Sequence, residues 1–220
     1  FTARGVCWNT APNPTTANDT TIDGSGLGSF TSSLNNLNIS TTYYYRAYAT
    51  NANGTSYGSE KSFTTILAIG DTYAGGIVFY LDGNGGGKVC SPIEVVKKWT
   101  EDSFDRTVVP NGATSATDGQ ANTAAIVAQA GPGDYAALYC NTLSLSGYND
   151  WYLPSINELI LIYTNIGPGS GTNVGNFTLA NHWSSTEINF EKAFRINFSN
   201  NAQLDNKKFA VNYVRAIRVF

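Results

Sequence analysis

Within the first 65 residues, the Tyr-rich stretch at 43–50 carries a period of two. At 43–50, Tyr43, Tyr45, Ala47 and Ala49 fall on one side and Tyr44, Arg46, Tyr48 and Thr50 on the other, which predicts a strand with one inward face. Turns are expected at Asp23-Gly24-Ser25-Gly26 and Asn51-Ala52-Asn53-Gly54, where residues tolerant of positive φ cluster. Further along, 76–81 reads as a strand entering the turn Asp82-Gly83-Asn84-Gly85, and Lys88-Val89-Cys90 returns as its hairpin partner. The period then changes. An Ala-rich stretch at 123–130 predicts a short helix capped by Asn122. After Pro154, the Ser155-x-x-Glu158 box opens a second helix, with Ile156, Leu159, Ile160 and Tyr163 at helical spacing until Gly167 stops it. The strands expected at 192–198 and 213–220 alternate again and read as a hairpin.

This pattern implies a mainly β chain with a small α+β domain, divided into 1–66 and 67–220. In the first part, Phe1-Thr2-Ala3-Arg4-Gly5-Val6-Cys7-Trp8, the Tyr-rich stretch ending at Thr50 and Ser62-Phe63-Thr64-Thr65 resemble an incomplete fibronectin type III-like, immunoglobulin-like β-sandwich lacking its first strands. Leu37 precedes Tyr43 by six positions, a spacing similar to the tyrosine corner of such sandwiches, whose hydroxyl bonds nearby backbone. A sandwich short of strands exposes apolar side chains and an unpaired ladder. Trp8, Phe30, Tyr43, Tyr45 and Phe63 are therefore expected to line an assembly groove that a strand from another copy fills. A trimmed stalk is the alternative.

The second part resembles the bacterial C-type-lectin-like domains related to the C-terminal domain of the collagen-like adhesin Lcl. The residues that carry the likeness are the stretch from Ile69-Gly70-Asp71 to Val78-Phe79-Tyr80, Asp150-Trp151-Tyr152-Leu153-Pro154-Ser155, His182-Trp183-Ser184-Ser185-Thr186-Glu187 and Val214-Arg215-Ala216-Ile217-Arg218-Val219-Phe220. Formylglycine-generating-enzyme-like proteins and lectin-like proteins diversified by retroelements are related to the same group. The resemblance implies a variable ligand face at Ile188, Asn189, Phe190, Glu191, Arg195, Asn197, Gln203, Asp205 and Lys207. An ordinary polar loop with an exposed hairpin face is the competing reading.

Composition narrows the function. With 42% hydrophobic and 13% charged residues, a net charge of −3 and no basic run, the chain is no nucleic-acid binder. No apolar run approaches the ~20 residues of a membrane span, so membrane insertion is not expected. Abundant Thr, Ser, Asn and Tyr suit an extracellular bacterial protein. Of three cysteines, Cys90 and Cys140 can pair, and Cys7 beside Trp8 reads as a buried thiol.

Candidate chemistry is sparse. The Gly83–Lys88 run lacks the spacing and hydroxyl residue of a phosphate loop. Asp82 and Asn84 are not followed by an EF-hand glutamate, and Asn149-Asp150-Trp151 lacks the partner tripeptide of a calcium-dependent sugar site. The sole histidine, His182, reads as core, and Glu94, Glu101, Asp102, Asp105 and Asp134 as scattered loop carboxylates. We therefore expect no catalytic residue, no metal and no cofactor. Asp19-Thr20-Thr21 resembles an O-glycosylation acceptor of bacterial secreted proteins, which makes Thr20 a modification candidate. The combined expectation is a non-enzymatic surface-fibre subunit that assembles head to tail with copies of itself. Its alternative is a monomeric cell-surface adhesin or receptor fragment binding glycan or protein.

Overall fold

The computed structural model describes residues 2–101, 108–109 and 112–220; Phe1, Asp102 and Asp105 lie outside them. The chain forms two compact units, Phe1–Leu67 and Ala68–Phe220.

The first unit is one five-stranded sheet of β1 (Ala3–Asn9), β2 (Asp19–Thr20), β3 (Thr42–Asn51), β4 (Gly54–Tyr57) and β5 (Lys61–Thr64). The long β3 is central. It pairs antiparallel with β1 on one side and with β4 and β5 in succession on the other. The register sets Val6 opposite Ala47, Trp8 opposite Tyr45 and Tyr43 opposite Phe63, so these residues share a face with Arg4 and Ala49. Cys7, Arg46 and Tyr48 point the other way. The 10–21 connection covers that side: Cys7 Sγ lies 3.4 Å from the Pro14 carbonyl, and the Tyr48 hydroxyl donates to the Thr21 carbonyl at 2.7 Å. The Asn38 N–H donates to the Tyr43 hydroxyl at 2.9 Å, the local bond expected from the Leu37 to Tyr43 spacing.

The second unit is built on a seven-stranded sheet ordered β11-β10-β9-β12-β8-β7-β6. Its strands are β6 (Thr72–Tyr73), β7 (Gly76–Leu81), β8 (Gly87–Lys97), β9 (Asn181–Glu187), β10 (Lys192–Asn197), β11 (Ala202–Lys207) and β12 (Asn212–Val219). The helices are α1 (Gly119–Ala130), α2 (Ala136–Thr142) and α3 (Ile156–Asn165). α3 opens with the predicted capping box and lays Ile156, Leu159 and Ile162 onto Phe79, Phe198 and Ile217 of the core.

Four expectations are corrected. The strands at 192–198 and 213–220 do not form a hairpin, because β9 lies between β10 and β12 and runs parallel to β12. α1 starts before 123 and is capped by Asp118; Asn122 sits buried inside it, bonding Ser115 and Ser185. α2 joins the two predicted helices, held by buried Ala136, Ala137 and Cys140 with no side-chain cap. Cys90 and Cys140 form no bridge: with Cys7 they are free, buried thiols, filling the core as small apolar side chains do. Burial pushes the Cys90 thiol up to about 12, and Cys140 is likewise raised by burial and then by Cys90.

Candidate functional site

The inner face of the first unit's sheet is only partly covered. The segment 26–37 passes over it and leaves two apolar clefts that meet at Phe30. One, about 540 Å³, is lined among others by Arg4, Leu27, Phe30, Ala47, Ala49 and Tyr57. The other, about 530 Å³, is lined by Val6, Phe30, Ser32, Leu34, Leu37, Tyr45 and Phe63. Ala47 is exposed although it lies at the middle of the central strand, where a packed sheet would be covered. Of the groove residues expected from sequence, Phe30, Tyr45 and Phe63 line the clefts. Trp8 and Tyr43 share the face but are 8% and 5% exposed and line neither cleft, so the expectation that they line the groove is corrected: both are buried in the unit. Phe63 packs against two tyrosines of β3, 6.0 Å from the Tyr43 ring and 5.8 Å from the Tyr45 ring. Val6, Leu27, Leu34 and Leu37 were not foreseen. Thr20 is exposed on edge strand β2, opposite Cys7.

The expected ligand face in the second unit lies on β10, β11 and their turns, but its nine residues do not converge. Ile188, Asn189, Phe190 and Glu191 form the β9–β10 turn, and Lys207 closes beside it because Lys192 pairs with Lys207. Asn197 lies at the opposite end, paired with Ala202. Two of the asparagines shape turns: Asn189 Oδ1 accepts from the Glu191 and Lys192 N–H groups, and Asn197 Oδ1 from Ser199. Arg195 donates to the Asp205 carbonyl at 3.1 Å and reaches Asn212 at 3.4 Å, while Asp205 pairs with Lys192 at 3.0 Å. Gln203 is exposed on β11, the sheet's edge strand. The 188–191 end is the stickier one, with Ile188, Phe190 and Phe209 exposed and Lys207 over the Phe209 ring at 5.6 Å.

The motifs that carried the resemblance are internal anchors. His182 is fully buried: Nε2 lies 2.7 Å from Glu94 Oε1, Nδ1 lies 3.1 Å from the Ala180 carbonyl, and the ring stacks on Phe198 at 4.1 Å. Glu94 is therefore not a solvated loop carboxylate but part of β8. Asp150 grips the Arg218 guanidinium of β12 at 2.6 and 3.0 Å, which uses both its oxygens and fits a structural turn, not a calcium site. Asp82 Oδ1 accepts from the Asn84 and Gly86 N–H groups and serves the β7–β8 turn. Glu101 and Asp134 are also engaged, with the Asp134 N–H and Lys97 respectively. Among the described residues no group of three His, Cys, Asp or Glu side chains could hold a metal ion.

The Lcl C-terminal domain model matches residues 97–218. The chain belongs to this family. No curated protein matches it. Among solved structures, a fimbrial protein from Bacteroides ovatus is similar, with 14% identity and a TM-score of 0.49. The likeness covers 98% of this chain, which spans 63% of that protein's length. In the Lcl C-terminal domain the match runs from Lys97 at the end of β8 to Arg218 in β12, so it takes in α1, α2, α3 and the β9–β11 face.

One anchor of the second unit, Glu94 of β8, gives a pH test. Burial raises the Glu94 carboxyl, but hydrogen bonds from His182 and Thr178 and the charges of His182 and Arg215 outweigh it and leave it below its ordinary 4.5. A carboxyl lowered by folding stabilises the fold above its unfolded value and loses that contribution as pH falls through its folded value. Stability of the parent should therefore decline below about pH 4.5 more steeply than that of Glu94→Gln, read as urea midpoints between pH 3 and 6. Parallel curves would remove Glu94 as a titrating anchor.

Proposed function

We propose that this chain is a non-enzymatic structural protein of the bacterial surface, a subunit of an extracellular fibre. In this reading the first unit is one sheet of a fibronectin type III-like sandwich, completed by a β-strand from a neighbouring copy, and the Lcl C-terminal domain is displayed along the fibre. The observation that carries it is the partly covered sheet face, with Ala47 exposed at its centre and Phe30, Tyr45 and Phe63 around it. Covering such side chains contributes about 1.5–3 kcal/mol each for full burial, with ladder hydrogen bonds in addition. A contact between two different surfaces of the same molecule does not close on itself and so propagates. The non-enzymatic reading is supported by the engagement of the ionisable groups with one another: His182 with Glu94, Asp150 with Arg218, Lys208 with Glu187. No helix among the described residues is long and apolar enough to cross a membrane.

Electron microscopy of the purified, untagged chain tests this. Filaments with a regular axial repeat are the expected result, and particles that stay dispersed at all concentrations contradict it.

A second reading, a surface adhesin that binds glycan or protein, is favoured by the exposed Ile188, Phe190 and Phe209 beside Lys207. Under it, Phe190→Ser with Phe209→Ser abolishes capture of a glycan or protein found by array screening. Under the fibre reading the same pair leaves filaments intact.

A further inference from the structure

We propose that residues 29–35 are an acceptor strand for β-strand addition. They would take from a second copy of this chain one extended, uncharged strand with apolar side chains at alternate positions. This rests on the fibre reading and names the contact by which it would occur.

The segment has strand character without a sheet. It is bounded by two left-handed residues, Gly28 at φ 99° and Asn36 at φ 57°, and no residue between them has positive φ. Facing alternates along it: Ser32 and Leu34 are half-buried and line the cleft with Phe30, while Thr31, Ser33 and Asn35 are exposed. That period of two is the geometry of a strand laid over an apolar face. Among the described residues, no backbone N–H or C=O of 29–35 takes part in a hydrogen bond.

The segment is nevertheless held in place. Ser32 bonds the carboxylate of Asp23 and lies 3.2 Å from Thr21 Oγ1. Arg4 donates to the Gly26 and Gly28 carbonyls at 3.0 and 3.1 Å and sits over the Phe30 ring at 5.0 Å. A tethered, extended segment with an unpaired ladder is what strand addition requires, and it selects a strand over a helix or a small molecule. The two clefts beside it are apolar, and their one charged lining residue, Arg4, is already engaged. An incoming strand must therefore be uncharged and turn alternate apolar residues toward Tyr45, Ala47 and Ala49. A second copy of a chain with 13% charged residues, whose strands include the uncharged Gly76–Leu81, is a source of such segments. Seven residues span roughly 23 Å, enough for a strand of ordinary length.

Amide hydrogen exchange, resolved by residue, on filaments of the purified chain and on its dispersed monomer tests this. In filaments, every second amide of 29–35 should slow by about 100-fold, as an edge paired on one side does, while in the monomer all exchange fast. Ala47→Arg, at an exposed position that the fold tolerates, should prevent both assembly and protection. Filaments whose 29–35 amides stay fast, or that form normally with Ala47→Arg, would overturn the acceptor strand while leaving the fibre. Equal protection in the monomer would show that the chain's own residues occupy the site and would also overturn it. Dispersed particles with fast amides would remove the fibre reading and this inference together.

Discussion

Lys208→Met should destabilise the second unit by about 3–5 kcal/mol, because it strands a buried carboxylate. Lys208 and Glu187 pair with side chains 0% and 1% exposed. The ammonium also sits 5.0 Å from the centre of the Trp99 ring, and that indole N–H donates to the Ser184 carbonyl at 2.8 Å. Both Glu187 oxygens lie 3.1 Å from the Val109 N–H that donates to them. Removing the lysine leaves the buried carboxylate, among the described residues, without the cation paired to it. Lys208→Met combined with Glu187→Gln should recover most of the loss, since the amide oxygen keeps the Val109 bond and no charge remains to bury. Urea unfolding followed by tryptophan fluorescence measures both. The penalty should be nearly the same at low and high salt, unlike that of a surface pair. A single-variant loss below about 1 kcal/mol would show that the pair contributes no more than an exposed one.

Lys208 also marks where sequence reading stops. In Asn206-Lys207-Lys208 two adjacent lysines look alike, yet Lys207 is exposed and Lys208 fully buried, because strand direction sends them to opposite sides as β11 ends. β3, by contrast, was legible from the Tyr-rich period-two stretch at 43–50, and so was the start of α3, whose Ser155 and Glu158 cap each other. β9, buried from His182 to Glu187, was not. Its Asn-His-Trp-Ser-Ser-Thr-Glu sequence satisfies polar groups inside the fold and has no alternation to detect, so the strand between β10 and β12 went unseen.

The groove shows the same division. Its aromatic members Phe30, Tyr45 and Phe63 were legible, whereas Ser32 and Leu34, which alternate with exposed Thr31, Ser33 and Asn35, were not. A serine facing inward weakens the hydrophobic signal. What fixes it there is the Asp23 carboxylate, a contact between residues nine apart that no local pattern encodes. The nine residues expected for a ligand face are neighbours in the sequence, and the fold spreads them over both ends of a hairpin. Turn-forming asparagines and binding asparagines are the same residue type, and only the paired register shows Asn197 at one end of the hairpin and Phe190 at the other.

The other large effect is expected at Glu158, where Glu158→Ala should destabilise the second unit by roughly 3–5 kcal/mol through orphaned donors more than through lost charge. One oxygen accepts from Lys88 at 2.5 Å and from the Tyr152 hydroxyl at 3.0 Å. The other accepts from the Gly119 N–H at 3.1 Å, the Ser155 N–H at 2.8 Å and the Ser155 hydroxyl at 2.7 Å. One carboxylate thus ties the start of α1, the cap of α3 and the strand β8 together. Burial and the neighbouring carboxylate raise the Tyr152 hydroxyl above its ordinary value, which keeps it a donor. Gly119 belongs to the same contact, because a Cβ there would lie 2.5 Å from Glu158 Oε2. Alanine at 158 leaves the Gly119 and Ser155 N–H groups and the Tyr152 hydroxyl inside without acceptors, and the helix loses half its capping box. Glu158→Gln keeps one acceptor oxygen and so should lose clearly less. Urea midpoints of the two variants decide it. Equal losses would mean that the Lys88 charge pair, and not the set of donors, holds this junction, and an alanine variant within about 1 kcal/mol of the parent would show that water or rearranged neighbours replace the carboxylate at little cost.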